Sequence, residues 1–240
     1  MFIRMKDCVL AIGLIIGTLS IFPSSSRCEV LVFDRVTTVD TPVRITVLTK
    51  GRFFAQGGRR VDIYLDENHL QSILTGGDGY GYLKYTPQSA GFKHVTARSK
   101  RDKDRGLILV MKKNEKAILV EIEAAFKYAL MSENIRENSQ QAVKTLSQKY
   151  KIIYLSKYAG KGISREWLDR EQFPKSVILR WRDPRMLTAL KDKGVHLHAA
   201  IGSAALMSAA ENDIEHRYTF EESKKATTVN DWDEILKLLQ

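Results

Sequence analysis

Two histidines, His196 and His198, stand two residues apart within an apolar stretch, 195–201, that we predict to be a β-strand. Side chains of a strand alternate between its two faces, so both imidazoles point to one face, as a pair of zinc ligands would require. The sequence offers no third ligand nearby. Because we expect this strand at the centre of a sheet, we predict packed histidines with satisfied nitrogens rather than a metal site.

Other candidate chemistry is sparse. The sequence contains no Gly-x-Ser-x-Gly elbow, no catalytic cysteine motif and no glycine-rich phosphate loop that opens a helix. Asp78, in the glycine-rich loop 76–81, would bind calcium only if further carboxylates converged on it, and a flexible turn is expected. Tyr80, Tyr82 and Lys84 could form a ligand surface, but aromatic residues on a sandwich strand more often pack or form a cross-strand ladder, and we favour packing against the second domain.

The first half of the chain has the pattern of half-buried strands. From Val30 to about Lys113, apolar and polar residues alternate, as in the run Val43, Ile45 and Val47. Glycine-containing turns separate the runs, and no amphipathic helix interrupts them. About seven short strands in roughly 80 residues predict an immunoglobulin-like β-sandwich over residues 29–113.

The second half has a different pattern, in which strands alternate with helices. Apolar strands are predicted at residues 117–122, 151–155, 176–179 and 195–201. This alternation is typical of a parallel, doubly wound α/β sheet with helices on both faces, and we assign it to residues 114–240. The tail 229–239 carries an apolar stripe that includes Trp232, and we predict that this helix docks on its own sheet.

Residues 1–28 have the order of a cleavable secretory signal peptide. Arg4 and Lys6 precede an uncharged apolar run, 8–22, and serines follow it. That run of about fifteen residues is shorter than the roughly twenty that span a bilayer, and no later segment reaches that length. We therefore predict cleavage after Ser26 or Cys28 and a secreted or periplasmic protein, with no transmembrane segment in the mature chain.

The charge of the chain favours an anionic partner. The formal net charge is +10, and it falls to +8 if residues 1–28 are removed, because that segment carries Arg4, Lys6, Arg27 and Asp7. A positive surface attracts lipid headgroups, phosphorylated ligands and cell-surface polymers alike. The densest basic run, 98–105, contains acidic residues and lacks aromatic neighbours. We predict a solvated hairpin tip there, and no nucleic-acid partner.

Short motifs of the second half carry a family resemblance. In chain order they are Ile-Leu-Val-Glu-Ile-Glu, Ile-Ile-Tyr-Leu-Ser, Ser-Arg-Glu-Trp-Leu with a following Phe-Pro, Ala-Ile-Gly-Ser, and a closing Trp, at residues 118–123, 152–156, 164–168, 173–174, 200–203 and 232. Their order and spacing resemble the haloacid-dehalogenase (HAD) superfamily, most closely its lipin and phosphatidylinositol-transfer-protein C-terminal branch. Lipin-type proteins also place an immunoglobulin-like domain beside this catalytic fold.

The resemblance implies a set of site residues. In that family the first strand ends in Asp-x-Asp-Gly-Thr, where one Asp attacks phosphorus, the other is a general acid or base, and Mg²⁺ is bound. Glu121 and Glu123 match these catalytic and metal-binding positions. Ser156 matches the phosphate-binding hydroxyl. The family's cation stays open among three residues, which are Arg185, Lys191 and Lys193.

Departures from the family pattern predict that catalysis is lost. A glutamate at 121 moves the attacking oxygen by about 1 Å, an error that can reduce the rate a hundredfold. Ala124 replaces the glycine that lets backbone N–H groups approach a phosphate. The fourth motif, 201–208, keeps its glycine but lacks the acids that hold the metal.

We therefore predict an exported HAD-like protein that binds an anionic ligand, lipid headgroup or envelope protein without turnover and without a cofactor. Two alternatives remain open: an active Mg²⁺-dependent phosphatase and a structural module of the cell envelope. An open pocket at Glu121, Glu123 and Ser156 with a cation would favour ligand binding or chemistry. A closed pocket would favour a scaffold.

Overall fold

The computed structural model describes residues 29–51, 54–127 and 134–239. The predicted signal peptide, residues 1–28, lies outside the described residues. In the described ranges, no helix is both long and apolar enough to cross a membrane.

The first eight strands form a β-sandwich of two sheets. They are β1 (Glu29–Val32), β2 (Arg35–Thr38), β3 (Val43–Lys50), β4 (Arg60–Leu65), β5 (Asn68–Leu74), β6 (Tyr80–Tyr85), β7 (Gly91–Ser99) and β8 (Asp102–Met111). One sheet has the order β1-β3-β6 and the other β2-β8-β7-β4-β5. Val43, Ile45 and Val47 are buried between the sheets, whereas Arg44 faces out. The period-two pattern therefore predicted the sandwich correctly.

The last six strands form one sheet in which all neighbours are parallel. They are β9 (Lys116–Glu121), β10 (Lys151–Ser156), β11 (Val177–Arg180), β12 (His196–Ile201), β13 (His216–Thr219) and β14 (Thr227–Thr228). The order is β11-β10-β9-β12-β13-β14. Strand β9 comes first in the chain but lies inside the sheet, because the chain builds outward on one side of it and then on the other. The predicted parallel sheet is confirmed.

Helices cover this sheet. They are α1 (Ile122–Ala125), α2 (Ser139–Lys149), α3 (Lys161–Arg170), α4 (Arg185–Lys191), α5 (Ala204–Ala209) and α6 (Trp232–Leu239). Ile118 and Val120 of β9 pack in a cluster with α2 and α6, whereas Leu119 packs with α4, α5 and strands β2 and β8 of the sandwich. Trp232 is fully buried and donates a hydrogen bond to the carbonyl of Ala125 (3.0 Å). The terminal helix docks on its own sheet, as predicted.

A buried carboxylate joins the sandwich to the parallel-sheet half. The side chain of Asp34 is fully buried, and it accepts backbone hydrogen bonds from Leu107 and Ile178, both at 2.9 Å. It also forms an ion pair with Arg165 of α3. Burying a charge is unfavourable unless its lone pairs are satisfied, and here three donors from both halves satisfy them. The two halves therefore pack as one unit with a shared core.

A second set of polar contacts crosses the same junction. The Lys161 ammonium donates to the carbonyls of Val32 (2.7 Å) and Arg105 (2.6 Å) and pairs with Asp104 (2.9 Å). Asp104 in turn accepts from the backbone N–H of Val32 (2.7 Å). The 98–105 segment is the predicted β7–β8 hairpin, but its end near Asp104 belongs to the junction rather than to a solvated tip.

Candidate functional site

The predicted site residues lie at the carboxyl ends of the parallel strands. In open α/β sheets, ligands bind in the crevice at this edge, where the strand order changes direction. In this chain the crevice lies between the ends of β9 and β12. We call Glu121, Glu123 and Ser156 at this edge the carboxylate edge.

Glu121 fills the crevice with its own side chain. It is 2% exposed, and its carboxylate accepts hydrogen bonds from the backbone N–H (2.8 Å) and hydroxyl (2.6 Å) of Ser203. Ser203 also caps α5, because its hydroxyl accepts from the N–H of Leu206 (3.4 Å). A Cβ at Gly202 would come within 2.7 Å of the Glu121 carboxylate, so the glycine makes room for it. The donors that could hold a ligand here already hold Glu121.

Glu123 occupies a cradle of backbone N–H groups in the loop after β10. Its carboxylate accepts from the N–H groups of Lys157 (3.1 Å) and Tyr158 (3.1 Å), and the Ser156 hydroxyl lies 2.9 Å from it. Successive N–H groups of this kind form an anion-binding concavity. Hydrogen bonding to Tyr158 raises the pKa of Lys157, and the nearby charges of Glu121 and Glu123 raise it further. An internal carboxylate is the anion that this cradle binds.

The structure does not bring the two predicted cations together. Lys191 pairs with Asp213 (2.5 Å) at the last turn of α4, near the start of β12 and therefore at the opposite edge of the sheet. Arg185 is highly exposed, and its guanidinium Nε donates to Asp183 (2.7 Å). Helix α4 runs antiparallel to the strands, so its two ends lie at opposite edges, and one ligand cannot contact both cations. The phosphate-binding set of Ser156, Arg185 and Lys191 is therefore not assembled.

Metal binding finds no support among the described residues. No group of three His, Cys, Asp or Glu side chains within 29–51, 54–127 and 134–239 can hold a metal ion. The carboxylates of Glu121 and Glu123 are already satisfied by protein donors, so they do not form the Mg²⁺ site that the resemblance implied. Asp78, the calcium candidate, accepts a hydrogen bond from the N–H of Tyr80 (3.0 Å) in a local turn.

The two histidines of β12 belong to an aromatic cluster at the amino edge of the sheet. The His198 ring stacks on Tyr150 (5.1 Å between centroids) and meets His216 edge-on (4.7 Å), with His196 at 6.4 Å. Burial, together with the charges of Lys116 and the neighbouring histidines, lowers the pKa of His198 to about 4. His198 is half-buried in this cluster, whereas His196 is exposed, so the predicted packing holds for His198 but not for the pair.

A second charged region lies on the outer face of the β1-β3-β6 sheet. Tyr80 stacks between Phe33 (6.1 Å) and Tyr82 (6.2 Å), and the three rings form an aromatic ladder. Tyr82 is 48% exposed, so the ladder faces solvent and does not pack against the second domain as expected. The Arg44 guanidinium lies over the Tyr82 ring, 4.6 Å from its centroid. Lys84 is the direct cross-strand partner of Arg44.

Two further cations lie beside this ladder. The Arg35 guanidinium reaches from β2 to the Thr46 hydroxyl (2.7 Å) and the Arg44 carbonyl (3.2 Å) of β3. Burial lowers the pKa of Arg35, and Arg44 lowers it further. Burial also lowers the pKa of Lys193, and the positive charges of Arg35 and Arg44 lower it further. We call Arg35, Arg44, Lys84 and Lys193, with the rings of Phe33, Tyr80 and Tyr82, the basic face.

Sequence reasoning missed most of this face. Tyr80, Tyr82 and Lys84 were recognised as a candidate surface, but Arg35 and Arg44 were not connected to it. Lys193 was considered only as a cation for the other edge. The sequence offered one signal for Arg44. In the alternating run of β3, Arg44 is exposed and the next residue, Ile45, is buried, so Arg44 lies on the outer face of the strand.

Comparisons with known proteins match no family model and no curated protein. Solved structures match over about a third of the chain. An FMN-binding beta-glucuronidase from Facaelibacterium prausnitzii is 13% identical over 37% of this chain, with a TM-score of 0.28. The D0-D1 domain of Intimin is 15% identical over 35% of this chain, with a TM-score of 0.29. Fibronectin(III)-like modules of Clostridium thermocellum CbhA are 18% identical over 35%, with a TM-score of 0.25.

The matched region spans 12% of the glucuronidase, 47% of the Intimin domains and 98% of the fibronectin-like module. The Intimin and fibronectin-like matches are β-sandwich domains of the immunoglobulin-like and fibronectin type. They do not include the predicted superfamily, and no family model or curated protein supports it. The resemblance to the HAD superfamily and its lipin branch is therefore wrong, and the catalytic roles that it implied for Glu121 and Glu123 lose their basis.

Proposed function

We propose that this chain is a non-catalytic module that binds an anionic partner outside the cytoplasm. The closure of the carboxylate edge carries the non-catalytic part of this proposal, and the uncompensated cations of the basic face carry the binding part. Glu121 and Ser156 are each 2% exposed, and the hydrogen-bond donors around them already serve protein carboxylates. An anionic substrate entering there would meet two carboxylates, and displacing them would leave buried charges without partners.

The charge distribution supports binding of an anion elsewhere on the molecule. The chain has a formal net charge of +10. Its basic face has no ion pair between its cations and a carboxylate among the described residues. Positive surfaces of this kind raise the local concentration of anionic ligands and speed their association.

A purely structural module is the second candidate. The filled crevice and the junction at Asp34 favour it, because both join the two halves of the chain into one packed unit. Such a module would bind no anionic ligand beyond the weak attraction expected from its net charge.

A binding and turnover experiment on the purified protein separates these functions. The probes are polygalacturonate, phosphatidylglycerol vesicles and inorganic polyphosphate, each tested at low and high NaCl. We expect saturable binding of at least one probe, weakened by salt because salt screens exposed charges. We expect no hydrolysis of phosphatidate or p-nitrophenyl phosphate with Mg²⁺. Mg²⁺-dependent turnover that E121Q abolishes would refute the proposal, and the absence of any binding would favour the structural module.

The location outside the cytoplasm has its own test. The full chain is expressed in a bacterial cell with a periplasm, and the mature protein is recovered and sequenced from its N-terminus. We expect recovery from the periplasm or medium with a first residue of Arg27 or Glu29. Retention of the uncleaved chain in the cytoplasm would refute this part of the proposal.

A further inference from the structure

The basic face combines clustered cations with an exposed aromatic ladder. We propose that Arg44, Lys84 and Tyr82, with Arg35 and Lys193 beside them, form a binding site for an acidic polysaccharide. This inference rests on the proposed function, for which it names the site and the chemical class of the ligand.

Two cations of the basic face, Arg44 and Lys84, repel each other. Arg44 on β3 and Lys84 on β6 are directly opposite one another in the antiparallel pair. Like charges at opposed positions destabilise a sheet. No carboxylate forms an ion pair with either residue in the described part of the chain. A bound anion between the two side chains would offset this repulsion.

A second pair of cations extends the site along the face. Arg35 is half-buried and held by Thr46, and its charge acts on both Arg44 and Lys193. Lys193 is also half-buried, and its ammonium donates to the carbonyl of Val36 at the long distance of 3.5 Å. The four cations lie on β2, β3, β6 and the loop before β12. This spread suits a ligand with several anionic groups rather than one.

The aromatic ladder adds a second recognition element. The apolar C–H face of a sugar ring packs well on an aromatic ring, while its hydroxyls need nearby donors and acceptors. Tyr82 exposes 48% of its surface, and the Arg44 guanidinium lies over its ring, 4.6 Å from the centroid, so the ring and the donors meet at one place. Guanidinium groups bind carboxylates through two parallel hydrogen bonds, which suits the carboxylate of a uronic acid.

A membrane surface fits this face less well. Interfacial binding requires apolar side chains that insert among the acyl chains. Of the large exposed hydrophobic side chains, Tyr82 is the one on this face, and it lies in a flat sheet whose ladder residues Phe33 and Tyr80 are half-buried. Among the residues that the structure describes, the face therefore offers charges and a ring for stacking, but no inserting group.

The test measures binding of polygalacturonate to wild type, R44Q, Y82A and the control K144Q. Lys144 is an exposed residue on α2, so K144Q makes the same charge change away from the site. We expect R44Q and Y82A to weaken binding at least tenfold, and K144Q less than twofold. Galacturonate monomer should bind at least a hundredfold more weakly than the polymer, because linked groups bind cooperatively. Neutral dextran should not bind. Unfolding midpoints of all variants confirm that they are folded.

The remaining results of this binding experiment would each overturn a different part of the proposal. Polygalacturonate binding that R44Q and Y82A leave unchanged would overturn the site assignment while the proposed function stands. Binding of phosphatidylglycerol vesicles or polyphosphate in place of polygalacturonate would overturn the ligand class. Binding of no anionic probe at all would overturn the proposed function together with this inference.

Discussion

The carboxylate edge and the basic face differ in whether their charged side chains have partners within the protein. At the edge, every carboxylate has protein donors: Ser203 serves Glu121, and the loop after β10 serves Glu123. On the face, Arg44 and Lys84 oppose each other without a paired carboxylate in the described chain. A charge that the fold satisfies internally contributes to stability, whereas a cluster of like charges that the fold leaves uncompensated is suited to a ligand. The comparison therefore separates residues that stabilise the fold from residues that we propose to bind.

The largest expected effect is at the junction that holds both regions in one unit. D34A removes a buried carboxylate and leaves Arg165 and the N–H groups of Leu107 and Ile178 without their partner. We expect a loss of about 3–5 kcal/mol in the free energy of unfolding, measured by urea denaturation. The control D192A, at an exposed acid after α4, should stay within about 0.5 kcal/mol. Equal effects of the two variants would contradict the described junction.

The next effect tests the carboxylate edge itself. E121A removes the buried carboxylate that accepts from the half-buried N–H and hydroxyl of Ser203, and we expect a loss of about 2–3 kcal/mol in unfolding free energy. The exposed control E137A should change it by less than about 0.5 kcal/mol. An E121A protein as stable as wild type would show that Glu121 is not the structural residue described here.

The variant E123A tests whether burial sets the cost of losing a carboxylate at this edge. Its cradle is partly open to solvent, so water can replace the carboxylate at the N–H groups of Lys157 and Tyr158. We expect E123A to cost about 1 kcal/mol, less than E121A, in the same denaturation experiment. The reverse order of the two variants would contradict the burial argument.

The histidine cluster shows how the parallel-sheet half responds to added positive charge. Burial lowers the pKa of His198 to about 4, so between pH 6.5 and 4 the unfolded state binds more protons than the folded state. Unfolding free energy should therefore fall as the pH is lowered through this window, by about 1 kcal/mol after allowance for the partial exposure of the ring. The groups that oppose its protonation are Lys116, Lys149, His196 and His216.

H198Q should remove this part of the pH dependence, measured by urea denaturation at pH 7 and pH 4.5. H94Q, at an exposed position on the sandwich, serves as the control and should keep the wild-type pH profile. An H198Q profile identical to wild type would show that another group accounts for the acid sensitivity.

The smallest stability effect is expected on the basic face. R44Q removes an exposed cation that has a cation as its cross-strand neighbour, so the free energy of unfolding should change by less than about 0.5 kcal/mol in either direction. Denaturation of R44Q beside E121Q makes the contrast direct. A loss above 2 kcal/mol would assign Arg44 to the fold rather than to a ligand.

The sequence predicted the regular elements far better than the sites. Alternation in β3 and the apolar runs of β9 and β10 identified the sandwich and the parallel sheet, because burial on one or both faces leaves a periodic signal. The edge strand β5 has no such signal, since nearly all of it is exposed, and β1 and β2 have only four residues each.

Long-range contacts explain what the sequence could not show. The partners of Asp34 lie 73, 131 and 144 residues further along the chain, so no local pattern announces the junction. The basic face likewise joins residues of β2, β3, β6 and the loop before β12. Glu121 ends β9 and Glu123 lies in the helix α1 that follows, but the chemistry assigned to them came from a resemblance that the comparisons contradict.

The most direct measurement is the thermal unfolding midpoint of wild type, E121Q and R44Q, with and without polygalacturonate. It tests whether the polymer binds at the basic face and whether Glu121 serves only the fold. A ligand that binds only the folded state raises this midpoint. The account predicts that E121Q unfolds several degrees lower but keeps the polymer-induced rise, whereas R44Q keeps the wild-type midpoint and loses the rise. The contrary pattern, in which E121Q loses the rise and R44Q retains it, would place the binding site at the carboxylate edge and contradict the account.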